Sequence, residues 1–343
     1  MSIFDLITSE QIGVYWEVLV QHEEPYATEE LFPVDKKKGL SLKWIRGAQG
    51  LPVVLNPSAF DAKSIPRQRI GFEKQMTEMP YFKESLYIDE ELRQELNEVM
   101  QMNNQAILDT ILNRIFDDVT NLLRAARATR ERLRMMMLTS GVIAMSANGQ
   151  NLLFDYGLQH KGTVTTAWSD FDNADPIEDI RLRKEIISED TGAVITRAMC
   201  DTVTWRKLRN NKKIIQSIFV AGNGVGSVSD NRLREFLLDE LGIVVLINDK
   251  RCVDETGASV KFMPADTFVM FPDGALGKTW FGTTPAESDL MNSSVANVTI
   301  VETGVAILAA PKADPVNVET IVSQICLPSF EAADTVYILD TEV

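Results

Sequence analysis

The apolar residues Ile107, Ile111, Ile115, Val119, Leu122, Ala126, Leu133 and Met137 recur in steps of three, four or seven, with neither proline nor glycine among them. That spacing keeps them on one side of an α-helix, and nothing in the run breaks it. A helix over residues 107–138 would rise roughly 45–50 Å, more than the ~30 Å width of a small domain. The chain must therefore be built along a spine rather than around a ball. Polar positions on this helix change sign along its length, from Asp109, Asp117 and Asp118 to Arg124, Arg127, Arg130, Arg132 and Arg134. The order suits the helix macrodipole. Such arginines either touch nucleic acid or pair with acidic neighbours in the same protein, and overall charge favours pairing: 49 acidic against 34 basic side chains give −15. A molecule of that sign is repelled by DNA, RNA and anionic lipid.

With 343 residues, 45% of them hydrophobic, the chain has material for one large or two medium cores. It has few parts for chemistry. Cys200, Cys252 and Cys326 are isolated, which points to neither a disulfide framework nor a zinc site. Only His22 and His160 are present, and neither an H-E-x-x-H nor a G-x-S-x-G motif occurs. The pairs Asp117-Asp118 and Asp239-Glu240 are adjacent in helical sequence, so their carboxylates splay by about 100° instead of converging. No catalytic residue, metal or cofactor is expected. The start MSIFDLITSE lacks the lysines of a signal peptide, and no run approaches the ~20 apolar residues of a membrane span, so a cytoplasmic protein is expected.

The stretch AGNGVGSVSD, with Gly222, Gly224 and Gly226, invites a phosphate-binding reading. Ser227 stands where a dinucleotide fingerprint needs its third glycine, the preceding LRNNKKIIQSIF reads as helix rather than strand, and no lysine follows as in a Walker loop. A loop tip with a helix starting at Ser229 or Asp230 is the expected structure.

Elsewhere the patterns are local. Residues 8–20 carry Ile12, Tyr15, Trp16 and Leu19 at helical spacing and read as an amphipathic arm. LSLKWI alternates like a strand, and then Gly47, Gly50, Pro52, Pro57, Pro66 and Gly71 punctuate a segment too long for an ordinary connection yet rich in apolar residues. A loop of that kind needs a surface to lie on. Asn148-Gly149 between VIAMSA and QNLLFDY marks a tight hairpin. Asp175-Pro176-Ile177-Glu178 starts a helix. AVITRAMC, GIVVLIND and FMPADTFVMFP read as strands, the second of them buried, and four β-rich runs close the chain.

In their order, GLSLKWIRGAQGLPVVLNPSAF, the long helix ending LTSG, VIAMSANGQNLLFDYG, TTAWSDFDNADPIEDI, TWRKLRNN and GIVVLINDKRCVDETGASVKFMPADTFVMFP resemble the major capsid proteins of tailed bacteriophages, of the lambda-like capsid family. The resemblance spans nearly the whole chain. It implies an α+β fold of the Hong Kong 97 type: an N-terminal arm (1–30), a peripheral domain (31–45, 81–165 and 296–343), an extended loop (46–80) and an axial domain (166–295). It implies pentamers and hexamers of this chain in an icosahedral shell around double-stranded DNA, with scaffold, portal and decoration proteins as partners. On that reading Lys63, Pro66, Arg67 and Arg69 are candidate contacts to the adjacent subunit, and Gly47, Gly50 and Gly71 are hinges. Gly222, Gly224 and Gly226 lie near the capsomer centre. A different virion or shell component, such as a tail tube or an encapsulin-like protein, and a nucleotide-binding α/β enzyme built on the 222–228 loop are the alternatives.

Overall fold

A computed structural model of the chain describes residues 7–46, 73–87, 90–101, 105–219, 227–291, 296–313 and 316–342. In chain order the elements are α1 (Ser9–Val20), β1 (Val34–Lys36), β2 (Ser41–Arg46), β3 (Glu73–Glu78), β4 (Tyr81–Tyr87), α2 (Glu90–Gln101) and α3 (Gln105–Ser140). The hairpin strands β5 (Val142–Ala147) and β6 (Gln150–Asp155) follow, then β7 (Lys161–Thr163), α4 (Pro176–Thr191), β8 (Arg197–Cys200), α5 (Thr202–Asn210), α6 (Lys212–Ile218) and α7 (Asp230–Leu241). The remainder is strand: β9 (Val244–Ile247), β10 (Arg251–Val253), β11 (Ser259–Lys261), β12 (Thr267–Phe271), β13 (Lys278–Phe281), β14 (Asn297–Val301), β15 (Val305–Ala313), β16 (Val316–Ser329) and β17 (Tyr337–Asp340). The expected spine is α3, 36 residues and so about 54 Å long.

Two units divide the chain. The first comprises residues 1–42, 76–133 and 278–329; the second comprises 43–75, 134–277 and 330–343. The C-terminal strands therefore do not stay together: β14–β16 belong to the first unit and β17 to the second. The reason is hydrogen-bond register, since β17 pairs along its whole length with β12, Phe268 opposite Leu339.

In the first unit β16 is the organising strand. Its 14 residues pair antiparallel with β15 on one side, and with β4 and then β13 on the other. At about 3.3 Å per residue it spans roughly 45 Å, a strand on the scale of the spine helix. The N-terminal segment, expected as an arm, is over α1 a helix docked on its own chain. Thr8 and Gln11 form a capping box. Ile12 and Trp16 are buried, Ser9 bonds Thr299 on β14 at 2.8 Å, and the absent side chain of Gly13 leaves room for Thr299 and Val301.

The second unit holds a five-stranded sheet in the order β7-β17-β12-β8-β9. One side of it is covered by helices: Ile180 and Ile187 of α4, Trp205 and Leu208 of α5, Ile214 of α6, and Leu233, Leu237 and Leu241 of α7 share a core with Ala198, Cys200, Val245, Phe268, Met270 and Leu339. Local signals set the helix starts. Asp175 accepts the N–H of Glu178 ahead of Pro176, and Ser229 caps α7. Asn148 and Gly149 both have positive φ, as a type I′ turn requires. β9 departs from expectation. It is an edge strand, so only one side of it meets the core, and Val244 and Leu246 are exposed at 58% and 40%.

Candidate inter-subunit surfaces

Several of the groups with chemical potential are engaged within the fold. His160 Nε2 lies 3.0 Å from Asp190. Of the adjacent carboxylates, Asp117 accepts the Tyr15 hydroxyl at 2.7 Å and Glu240 pairs with Arg181 at 2.7 Å. Burial pushes the thiol pKa of Cys200 up, away from reactivity. Among the described residues, no group of three or more His, Cys, Asp or Glu side chains is placed to hold a metal, and no helix is long and apolar enough to cross a membrane.

Gly222, Gly224 and Gly226 lie outside the described residues. Their flanks are described: α6 ends at Ile218 and α7 begins at Asp230. The segment thus joins helix to helix, whereas a dinucleotide fingerprint leaves a strand. Lys63, Pro66, Arg67 and Arg69, and the glycines Gly47, Gly50 and Gly71, also lie outside the described residues. What is described is the base of that segment, where β2 and β3 pair as a two-stranded ribbon and the Met79 N–H donates to the Leu40 carbonyl at 2.9 Å.

Three arginines of α3 are engaged within the chain. Arg124 and Arg127 hold the two oxygens of Glu23 at 2.6 and 2.9 Å, and Arg127 also reaches Glu29 at 3.0 Å and stacks over Tyr26. Arg130, 5% exposed, pairs with Glu302 at 2.5 Å and donates to Gln324 at 3.1 Å. Beside them the Thr28 hydroxyl donates to the buried Glu131. The row that could have met phosphates instead straps residues 23–29 and the β14–β15 turn to the spine. Pattern reasoning had no access to Glu302 as the partner, because it lies 172 positions from Arg130. Its backbone is also in the left-handed region, φ 53, which sequence does not announce for glutamate.

What remains for recognition is surface. Among the described residues exposed apolar side chains are spread over several elements: Val14 and Val18 on α1, Tyr87 on β4, Leu153 on the hairpin, and Val194 with Val244 near the β9 edge. Apolar side chains scattered singly in this way are ordinary on a folded surface.

Comparison with known proteins goes further. No curated protein matches. Among solved structures, the chain is similar to one assigned to a prophage capsid protein of E. coli CFT073, with TM-score 0.60, 15% identity, and coverage of 97% of this chain and 99% of that one. It is similar also to a phage-related protein of Bordetella bronchiseptica RB50, with TM-score 0.55, 14% identity, and coverage of 98% and 97%. The capsid asymmetric unit of cyanophage A-1(L) gives TM-score 0.50 at 11% identity, with 91% of each chain covered. At such identities the likeness establishes the fold, the tailed-phage capsid fold of the Hong Kong 97 type. Residues 44–341 match the family described as phage major capsid protein E, and with that the chain belongs to this family: it is a structural protein of the virion that assembles into the phage shell.

Proposed function

We propose that this chain is the repeating subunit of an icosahedral head, forming pentamers and hexamers that enclose packaged double-stranded DNA. The observation that carries the reading is the family match over residues 44–341. Rings of five and six arise from heterologous contacts, one patch of each copy binding a different patch of the next. Residues 46–80, bracketed by the β2–β3 ribbon, form the extended loop over the adjacent subunit. Lys63, Pro66, Arg67 and Arg69 are its contacts, and Gly47, Gly50 and Gly71 the hinges that let it adapt to two ring sizes. Residues 166–295 are the axial domain, with Gly222, Gly224 and Gly226 toward the capsomer centre, and residues 31–45, 81–165 and 296–343 are the peripheral domain. Scaffold and portal proteins, with or without decoration proteins, complete the particle, which is built in the host cytoplasm.

The net charge of −15 fits a lining that repels phosphate, so that incoming DNA slides and spools instead of sticking. Reversing acidic residues on the interior face is expected to slow packaging, and an unchanged packaging rate removes that role for the charge. The test of the main reading is electron microscopy of the chain expressed with its neighbouring genes. Closed shells with five- and six-fold capsomers are expected. Tubes, or small soluble oligomers alone, would refute it.

A further inference from the structure

The second unit carries opposite charges at the two ends of its helical layer. α7 is the ruler. At its N-terminal end Asp230 accepts the Trp205 indole N–H at 3.0 Å and pairs with Arg209 of α5 at 3.3 Å. At its other end Glu240 pairs with Arg181 of α4 at 2.7 Å, and the Leu241 carbonyl accepts from Lys184. Ten residues of helix separate Asp230 from Glu240, about 15 Å. α4 runs the same way. Asp175 at its start pairs with Lys213 of α6 at 3.0 Å, and its last turns lie beyond Arg181.

The end at α5 and α6 is basic. Arg206, Lys212, Lys213 and Arg232 are exposed there, with Asp172, Asp175 and Asp230 as partial counter-charges. Phe171, 38% exposed, sits beside the start of α6, its carbonyl accepting the Lys212 N–H. The opposite end is acidic. Glu185, Glu189, Asp190, Asp239 and Glu240 are exposed around the last turns of α4 and α7. Between those turns lies a groove of about 260 Å³ whose lining includes Glu185 and Glu240 together with Arg181 and Lys184, the last two engaged by Glu240 and the Leu241 carbonyl. Val194, 66% exposed, gives its lining an apolar spot.

Lys207 and Arg209 in the last turn of α5 suit that helix's negative pole, but other charges at the two ends do not serve the subunit's own helices. Acidic side chains in the last turns of α4 and α7, which hold no basic residue, oppose the negative pole of each helix. Lys212 and Lys213, the first two residues of α6, oppose a positive one. The two ends are farther apart than the ~8 Å screening length at physiological ionic strength, so within one copy they act as separate patches. A groove margined by Glu185, Glu189, Asp190 and Asp239 at one end, and exposed basic side chains beside Phe171 at the other, are complementary in charge.

We propose that the acid-margined groove of α4 and α7 takes the basic surface at Phe171, Arg206, Lys212 and Lys213 (the knob) of a second copy of this chain, making the ring contact of the capsomer. The proposal rests on the shell reading above and adds which surfaces meet. Each copy gives its groove to one neighbour and its knob to the other, the head-to-tail arrangement that closes rings. Long charged side chains tolerate a change of angle better than close packing does, so one pair of surfaces serves rings of five and of six.

The test uses the full chain, assembled and scored by electron microscopy. One variant reverses the groove, Glu185→Lys with Asp239→Lys; a second reverses the knob, Arg206→Glu with Lys212→Glu; a third carries all four changes. The groove variant and the knob variant are each expected to lose particles at least tenfold, and the fourfold variant to regain them. A mixture of the groove and knob variants can satisfy its contacts only by alternating, so it is expected to give six-membered rings and no five-membered ones. Recovery in either case also shows that the parent variants fold. Unchanged assembly of either two-residue variant overturns the contact, as does a loss that neither the fourfold variant nor the mixture repairs. If the unsubstituted chain forms no particles under any condition, the shell reading itself fails and takes the contact with it.

Discussion

At the scale of single residues, Glu302 ties three distant parts of the first unit together. It accepts the Trp16 indole N–H at 3.2 Å, pairs with the buried Arg130, and does so from a strained left-handed backbone. Glu302→Ala leaves Arg130 without its partner and is expected to cost about 3 kcal/mol in denaturant unfolding of the disassembled subunit. Glu302→Gln keeps an acceptor for Trp16 and is expected to lose about half as much. Equal losses would show that the indole bond contributes nothing. In the second unit, Asp201 caps α5 with its side chain fully buried. Burial pushes its pKa up, but the N–H and hydroxyl of Thr204 and the ammonium of Lys261 outweigh that and hold it below the usual carboxylate value. A depressed folded-state pKa gives stability that is complete above the unfolded value near 4 and is lost as pH falls through the folded value. Asp201→Asn should therefore melt several degrees below the native protein at pH 7, with the gap narrowing toward pH 3. A gap that stays constant contradicts the linkage. The row of arginines and the sign change along α3 were legible as residues. Their partners were not, because ion pairs across a hundred positions leave no periodic trace.

At the scale of elements, what could be read was what is locally encoded. The spine came from its uninterrupted apolar spacing, the hairpin from Asn148-Gly149, and α4 from the Asp175-Pro176 start, because each of these is fixed by short-range sterics and hydrogen bonding. Gly149→Val puts a β-branched residue at φ 73 and is expected to destabilise the hairpin by about 1–2 kcal/mol. Hydrogen exchange should then quicken over residues 142–155 and nowhere else; unchanged exchange there contradicts the turn assignment. α1 was legible as an amphipathic helix but not as a docked one, since its resting place on β14 lies nearly 290 residues downstream. Trp16→Ala removes the largest side chain of that contact, at about 3–5 kcal/mol. Limited proteolysis is expected to open residues 7–33 in this variant, while Val14→Ala, on the exposed side, leaves them protected. The β9 edge was misread as buried because four apolar residues in a row look alike in a central and an edge strand. The candidate contacts at Lys63, Pro66, Arg67 and Arg69 rest on the resemblance and on basic side chains in an otherwise acidic chain, and they fall outside the described residues.

At the scale of the whole molecule, the sequence and the structure converge on a subunit made for company. A 54 Å helix and a 45 Å strand, a ribbon leading into a long apolar segment, and charge separated across the helical layer of the second unit are costly features for a lone globule. They are ordinary ones for a repeating tile. If charge pairing between copies closes the rings, assembly should weaken as salt screens it. A shell held by apolar burial alone would instead be indifferent to salt or strengthened by it. The most direct measurement is sedimentation velocity of the full chain, purified at high concentration after expression with its neighbouring genes. Particles of megadalton mass in equilibrium with ring-sized capsomers are the predicted result. A single stable species at the monomer mass of 38.4 kDa, unchanged across concentration and salt, contradicts the account.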